Sequence, residues 1–306
     1  MLAPALALAQ TSDTRAADAT RRDPPADAKP PAAMAELTIP SHGARMNGLI
    51  YLAAGTGSHP VVIFLHGFPG NERNLDLAQA VRRAGYHSLY TDFRGMWGSA
   101  GEFSFSHGLE DVTEILAWVR APGTAATYHI DTTRIAIVGH SYGGWLALMS
   151  AGAQPPSVCV AAMAAWNIGW DAEQFAAQPA LRSDSFESLR GATEGEGAPV
   201  AADADTLLME MSAHADEWNY LSQSSGLAKR ALLLAAVTRD SPDEDVKMHQ
   251  RLAKAVRAAG GQHVQLITYD DDHPFSSHRI ALADALTHWL RGDCARTQPP
   301  VAQRQP

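Results

Sequence analysis

Gly139-His140-Ser141-Tyr142-Gly143 sets one serine between two glycines, after a β-branched apolar run and before a helical one. Glycine loses more backbone entropy on folding than any other residue, so clustering it here needs a reason. A G-x-S-x-G sequence at a strand-to-helix turn supplies one. The turn is too sharp for flanking side chains, and it forces the serine Oγ into the open. Gly139 and Gly143 leave room for the neighbouring strand and helix, and Gly144 lets the helix start pack closely. The helix N-terminus adds free N–H groups and partial positive charge, which suit a developing oxyanion.

A serine hydroxyl is a weak nucleophile at neutral pH. It needs a base, and the base needs a group that orients it. The G-x-S-x-G context orders these Ser, then Asp, then His. Asp240 closes the apolar run "ALLLAAVTRD", and His273 follows the last such run in "YDDDHPFSSHR". Both positions belong to loops at the carboxyl ends of strands, where an open α/β sheet gathers its site. Asp243, Glu244 and Asp245 read as the acidic first turn of the next helix. Asp171 is a weaker candidate for the acid. His278 reads as part of the last helix, and His214, His249 and His288 as surface or packing residues. His273 and His278 beside Asp270–Asp272 lack a matching ligand pair elsewhere, so the metal reading is rejected.

Two main-chain donors must hold the oxyanion. One is the N–H of Tyr142, next to the nucleophile. The other belongs to the loop after "VVIFLHG", which reads His66-Gly67-Phe68-Pro69-Gly70. Proline has no N–H, so Phe68 is the candidate and His66 is expected to brace the loop. Trp97, Trp166 and Trp170 follow strand ends and are candidate substrate contacts, although packing of a cap serves them equally well. Arg94 and Glu102 read as structural partners, and Glu110 and Asp111 as helix-start residues.

The elements that would position these groups alternate. "ELTIPS", "GLIYLAA", "HPVVIFLHG", "YHSLYTDFRG", "TRIAIVGH", "SVCVAAMAAW", "RALLLAAVTRD" and "HVQLITYD" read as strands. Helical spacing falls between them from "NERNLDLAQAVRRAG" onward. The pattern predicts an α/β fold with a mainly parallel twisted sheet and helices on both faces. It breaks only at 167–228, too long for a pure loop and read as a partly helical cap with a mobile stretch, "GATEGEGAPVAADAD". The expected organisation is a signal-like or disordered 1–34, a catalytic domain of 35–166 and 229–293, the cap of 167–228, and a disordered tail of 294–306.

"HGFPGNERNLDLA", "DFRGMWGSAGEFSF", "GHSYGG" and "DDHPFSSHR" together resemble the α/β-hydrolase superfamily, over about residues 36–291. The likeness is to the bacterial branch related to prolyl-oligopeptidase-type hydrolases and their esterase relatives. It implies a serine hydrolase working through an acyl-enzyme, with Ser141, Asp240 and His273 as triad and Phe68 and Tyr142 as oxyanion donors. It requires no metal or organic cofactor. The stretch ahead of "VVIFLHG" is too short for the propeller domain of those oligopeptidases, which favours an esterase over a gated peptidase. The expected substrate is a small-molecule ester, with a small peptide or amide as the alternative. Acyl transfer and a binding protein with an idle triad are remoter readings.

Net charge is −9 in 306 residues, which points away from a nucleic-acid partner. No later run is long and apolar enough for a membrane span. "MLAPALALAQ" reads as the back half of a secretory signal without its charged start, with an Ala-rich tail as the plain alternative. The first reading expects secretion or a periplasmic place, and the second a cytoplasmic one. Cys159 reads as a small buried hydrophobe and Cys294 as part of the polar tail. A disulfide framework is not expected from two cysteines, and their pairing stays open.

Overall fold

The computed structural model describes residues 19–23, 27–240 and 244–300. The signal-like Met1–Gln10, the last residues of the tail and Asp243 lie outside them, as does the side chain of Glu244.

Eight strands form one sheet in the order β1-β2-β4-β3-β5-β6-β7-β8. They are β1 (Ala33–Ser41), β2 (Ala44–Leu52), β3 (His59–Leu65), β4 (His87–Thr91), β5 (Ile130–His140), β6 (Cys159–Met163), β7 (Leu232–Val237) and β8 (Val264–Tyr269). β1, β2 and β4 pair antiparallel at one edge, and all later pairs are parallel. Parallel strands need crossovers, and the crossovers cover both faces. That is why the central strands are apolar throughout rather than alternating. Val61, Ile63 and Leu65 of β3 join one core, while Val62 and Phe64 join the other. β5 divides likewise, with Ile135 and Ile137 on one side and Ala136 and Val138 on the other.

Helices α1 (Leu75–Arg83) and α11 (Arg279–Trp289) cover the second core. Helix α2 (Phe105–Arg120) and α4 (Tyr142–Ser150) cover the first, and α3 (Pro122–Tyr128) is a short Ala-rich turn of helix between them in sequence. α4 is buried on every side, with Trp145, Leu146, Ala147 and Leu148 all without solvent contact. A helix apolar all round belongs in an interior. α2 begins earlier than the sequence suggests, because Ser104 caps it by accepting the His107 N–H at 3.0 Å. Asp111 therefore lies inside the helix and not at its start. It is fully buried and receives Arg94 Nε, Arg94 N–H and Ser41 Oγ.

Between β6 and β7 the chain is helical: α5 (Ile168–Gln174), α6 (Pro179–Thr193), α7 (Ala204–Ala213), α8 (Ala215–Trp218) and α9 (Ser224–Leu227). The segment expected to be mobile is laced to the loop after β4. Trp97 N–H donates to Pro199 O, Ala201 N–H to Gly95 O and Phe103 N–H to Ala201 O, and Val200 is buried. Helix α10 (Glu244–Ala258) follows β7. None of the described helices is long and apolar enough to cross a membrane.

The expected tail is anchored. Past α11, a π-turn over Leu290–Cys294 and a short helix α12 (Ala295–Thr297) follow. Cys294 is buried and bonded to Cys159, 135 residues away, at the start of β6. Gln298 Nε2 then donates to Ile135 O and Ser157 O. The bridge clamps the end of the chain to a central strand. A cross-link over so long a loop removes much denatured-state entropy, so removing it should cost about 2–5 kcal/mol. A Cys159→Ala/Cys294→Ala variant is expected to melt roughly 5–15 °C lower by calorimetry, with its secondary structure at 25 °C retained by circular dichroism. An unchanged midpoint would show that the bridge does not form.

Candidate active site

β5 delivers the serine. It ends at His140, Ser141 takes φ 55° and ψ −119°, and α4 begins at Tyr142. A non-glycine residue at that φ is strained, and the surroundings must hold it. Ser141 N–H donates to Met163 O at 2.9 Å, and Ser141 O accepts the N–H groups of Trp145 and Trp166. The glycines meet the demand made of them. A Cβ on Gly139 would sit 1.9 Å from Gly143 O, and one on Gly143 would sit 2.1 Å from Leu65 O. At Gly144 the obstacle is Ala165 Cβ at 2.8 Å. None of these places can take alanine without the backbone moving. Ser141 is 7% exposed and lines both of the cavities described below.

β7 and β8 lead to the candidate acid and base. Asp240 follows the end of β7, and His273 follows β8. His273 Nδ1–H donates to Asp240 Oδ2 at 2.7 Å. Two further contacts hold the histidine loop. His140 Nε2–H donates to the His273 carbonyl at 2.9 Å, and the two rings lie 4.6 Å apart. Burial, then the neighbouring His273, lowers the His140 pKa to about 3, so this ring is neutral. Asp271 is the other anchor. Its fully buried carboxylate accepts from Arg239 Nη2, Asp272 N–H, Ser277 N–H and His278 Nδ1–H. Burial alone would raise its pKa, but these hydrogen bonds, the one from His278 first, bring it down to about 2. His278 is thus a loop brace just ahead of α11 and not a residue inside the last helix.

The loop after β3 passes over the serine. A Cβ on Gly67 would lie 3.1 Å from Ser141 Cβ. His66 Nδ1–H donates to Gly67 O at 2.7 Å, as a brace should, and burial lowers the ring's pKa to about 4. Among the described residues the Phe68 N–H donates to no main-chain carbonyl. Tyr142, as the first residue of α4, has no carbonyl one turn back within its helix. Trp97, at φ 50° and 37% exposed, donates its Nε1–H to Pro69 O at 2.6 Å, and Arg73 lies 4.8 Å from its ring centroid. It buttresses the loop from outside and is not among the residues lining either cavity.

Two cavities meet at Ser141. The first, about 220 Å³, is lined by Ser141, His273 and Asp240 together with Trp166, Trp170 and Met248. The second, about 300 Å³, is lined by Ser141, Phe68, Trp166 and α6, through Asp184, Ser185, Ser188 and Leu189. Trp166 stands between them, its Nε1–H donating to Asp171 Oδ2 at 2.6 Å, and Asp171 lines both. Trp170 carries the Arg251 guanidinium 4.8 Å over its ring. Of the three tryptophans singled out in the sequence, the fold brings Trp166 and Trp170 to the serine. Nothing local marks α6 as a wall, because its lining residues are ordinary surface types. Asp245 was also missed. It reads as a helix-start carboxylate, yet it lines the first cavity.

The sequence model of the X-Pro dipeptidyl-peptidase (S15) family matches residues 9–297. Solved structures share the fold. The Pyrococcus furiosus esterase Pf2001 superposes with a TM-score of 0.62 at 16% identity, over 85% of this chain and 91% of that one. Est1E from Butyrivibrio proteoclasticus gives 0.58 at 14%, over 85% and 99%. The esterase domain of a Rhodothermus marinus protein gives 0.57 at 20%, over 85% and 98%. With its mostly parallel sheet, its strand-to-helix serine turn and a family match along nearly its whole length, the chain belongs to the X-Pro dipeptidyl-peptidase (S15) family of α/β-hydrolase enzymes.

Proposed function

We propose that the protein hydrolyses carboxylic esters through an acyl-enzyme on Ser141. The observation that carries this reading is the 2.7 Å contact of His273 Nδ1 with Asp240, in a cavity shared with Ser141. His273 Nε2 takes the hydroxyl proton as Oγ attacks the ester carbon. The N–H groups of Phe68 and Tyr142 hold the oxyanion. His273 then protonates the departing alkoxide, the alcohol leaves, and a water activated by the same nitrogen releases the acid. Asp240 keeps the imidazole proton on Nδ1 and stabilises the imidazolium. Because His273 must reach the leaving oxygen, the alcohol part belongs in the cavity lined by His273, Trp170 and Met248. The acyl part belongs beside Phe68 and Leu189.

The neighbours named as esterases support ester chemistry, and the family name supports a second reading, cleavage of X-Pro peptides. Matched p-nitrophenyl esters and X-Pro p-nitroanilides separate the two. We expect turnover of short-chain esters, falling as the acyl chain outgrows the second cavity, and labelling of Ser141 by a fluorophosphonate. Turnover confined to the anilides would replace the ester reading with the peptidase one. Absence of both, with no label, would leave the binding-protein reading.

The disulfide supports work in an oxidising compartment, outside the cytoplasm. Thiol titration under denaturing conditions tests this. Protein recovered from its own compartment should show no free thiol, and two would return it to the cytoplasm.

A further inference from the structure

His249 sits on α10 one turn after Asp245, is fully buried, and touches no group that reacts. Its contacts nevertheless run to two residues that line the first cavity, Asp245 and Ala165. Asp245 Oδ2 accepts the N–H of Val237, the last residue of β7, at 2.8 Å, just before the loop that carries Asp240. Asp245 Oδ1 lies 3.0 Å from His249 Nδ1, which also donates to the Asp245 carbonyl at 2.8 Å. On the far edge of the ring, His249 Nε2 accepts the N–H of Ala165 at 3.3 Å. Ala165 precedes Trp166, the wall between the two cavities, and the Trp166 N–H is bonded to Ser141 O. An amide N–H can only donate, so this contact requires the lone pair on Nε2 and the proton on Nδ1.

We propose that Asp245 and His249 form a positioning pair that fixes the acid-bearing end of β7 against the Trp166 wall, beside Ser141. The pair rests on the triad reading above. A buried polar pair adds little net stability over apolar side chains of the same volume. What it adds is registry. One carboxylate sets the end of β7, one ring nitrogen sets the end of β6, and α10 fixes the separation. The two ring nitrogens therefore serve different parts of the reaction. The Nδ1 side bears on the acid and so on kcat. The Nε2 side bears on the substrate wall and so on KM.

Two substitutions divide them. His249→Asn places an amide nitrogen near the Nδ1 position and leaves Ala165 without an acceptor. His249→Gln reaches the Nε2 position with an acceptor oxygen and gives up the Asp245 contact. Burial lowers this ring's pKa and Asp245 raises it, with a net rise, so the assay is run on the alkaline side of neutrality, which favours the neutral ring. Misplacement outside the reacting groups can cost up to about 100-fold. We expect His249→Asn to raise KM roughly 5–10-fold with kcat kept, and His249→Gln to lower kcat roughly 10-fold with KM kept. His249→Leu should show both losses. Wild-type kcat and KM in the Asn and Gln variants, or equal changes without the split, overturn the proposal even if both melt lower, because a packing role moves stability alone. Fluorophosphonate labelling of the wild type at Ser141 is run alongside. Its absence overturns the triad reading and the pair's role with it. A labelled wild type with unsplit variants overturns the pair alone.

Discussion

Ser141→Ala should lower ester turnover by about a million-fold and leave the melting midpoint within a few degrees of wild type. The size of the loss follows from where the hydroxyl stands. Ser141 is held at φ 55° by three main-chain hydrogen bonds, to β6 and to the neighbouring turn, and alanine keeps all of them. The turn therefore survives the substitution, and only Oγ is lost. No neighbouring hydroxyl replaces it. Ser185 and Ser188 line the second cavity, but they stand on α6 and not at the turn from which the Phe68 and Tyr142 N–H groups are approached. The residual rate would be what binding and those two N–H groups supply, about 10³–10⁴ over water. The check is steady-state kinetics on a short p-nitrophenyl ester, with the fluorophosphonate adduct mapped by mass spectrometry. Wild-type turnover in the variant would remove every role assigned around this serine.

That the strained turn at Ser141 could be found without a structure is a matter of local physics. A strand-to-helix turn this sharp excludes side chains within a few residues of itself, so Gly139, Gly143 and Gly144 mark it in the sequence. The sheet was legible for a similar reason. Burial on both faces makes "VVIFL" and "LLLAAV" apolar without alternation, and strands that must be parallel need helices between them. Asp240 and His273 could be named as candidates because a strand end is itself a local feature, and the fold brings the two into contact.

The rest depends on groups distant in the chain. Cys159 looks like any small buried residue, and nothing near it points to Cys294, 135 residues on. Asp111 carries the charge expected of a helix start, and only the fold shows it buried against Arg94. Asp245 misleads in the same way. Trp97 follows a strand end as Trp166 does, yet the turn there aims its indole at Pro69. A residue type at a loop position tells where a side chain starts and not which way it points.

Asp240→Asn should lower kcat about 10³–10⁴-fold with KM little changed. The loop geometry ought to survive, because Asp240 does little to hold it. Asp271 carries that load, through Arg239, Asp272, Ser277 and His278, and His140 fixes the His273 carbonyl independently. What changes is the proton. The carboxylate at 2.7 Å can only accept, so it keeps hydrogen on His273 Nδ1 and the lone pair on Nε2. An asparagine can turn its amide toward Nδ1 and donate. The favoured tautomer then carries hydrogen on Nε2, where Ser141 must deliver its own proton, and the base is lost with its ring in place. Asp245→Asn is the control, since Asp245 lines the same cavity. Its carboxylate meets the main-chain N–H of Val237 and the buried His249, so it acts on the reaction only through position. Its loss should stay near 10-fold. A reversed order, with Asp245→Asn the more damaging by orders of magnitude, would make Asp245 the acid. The first turn of α10, and not the loop after β7, would then complete the triad.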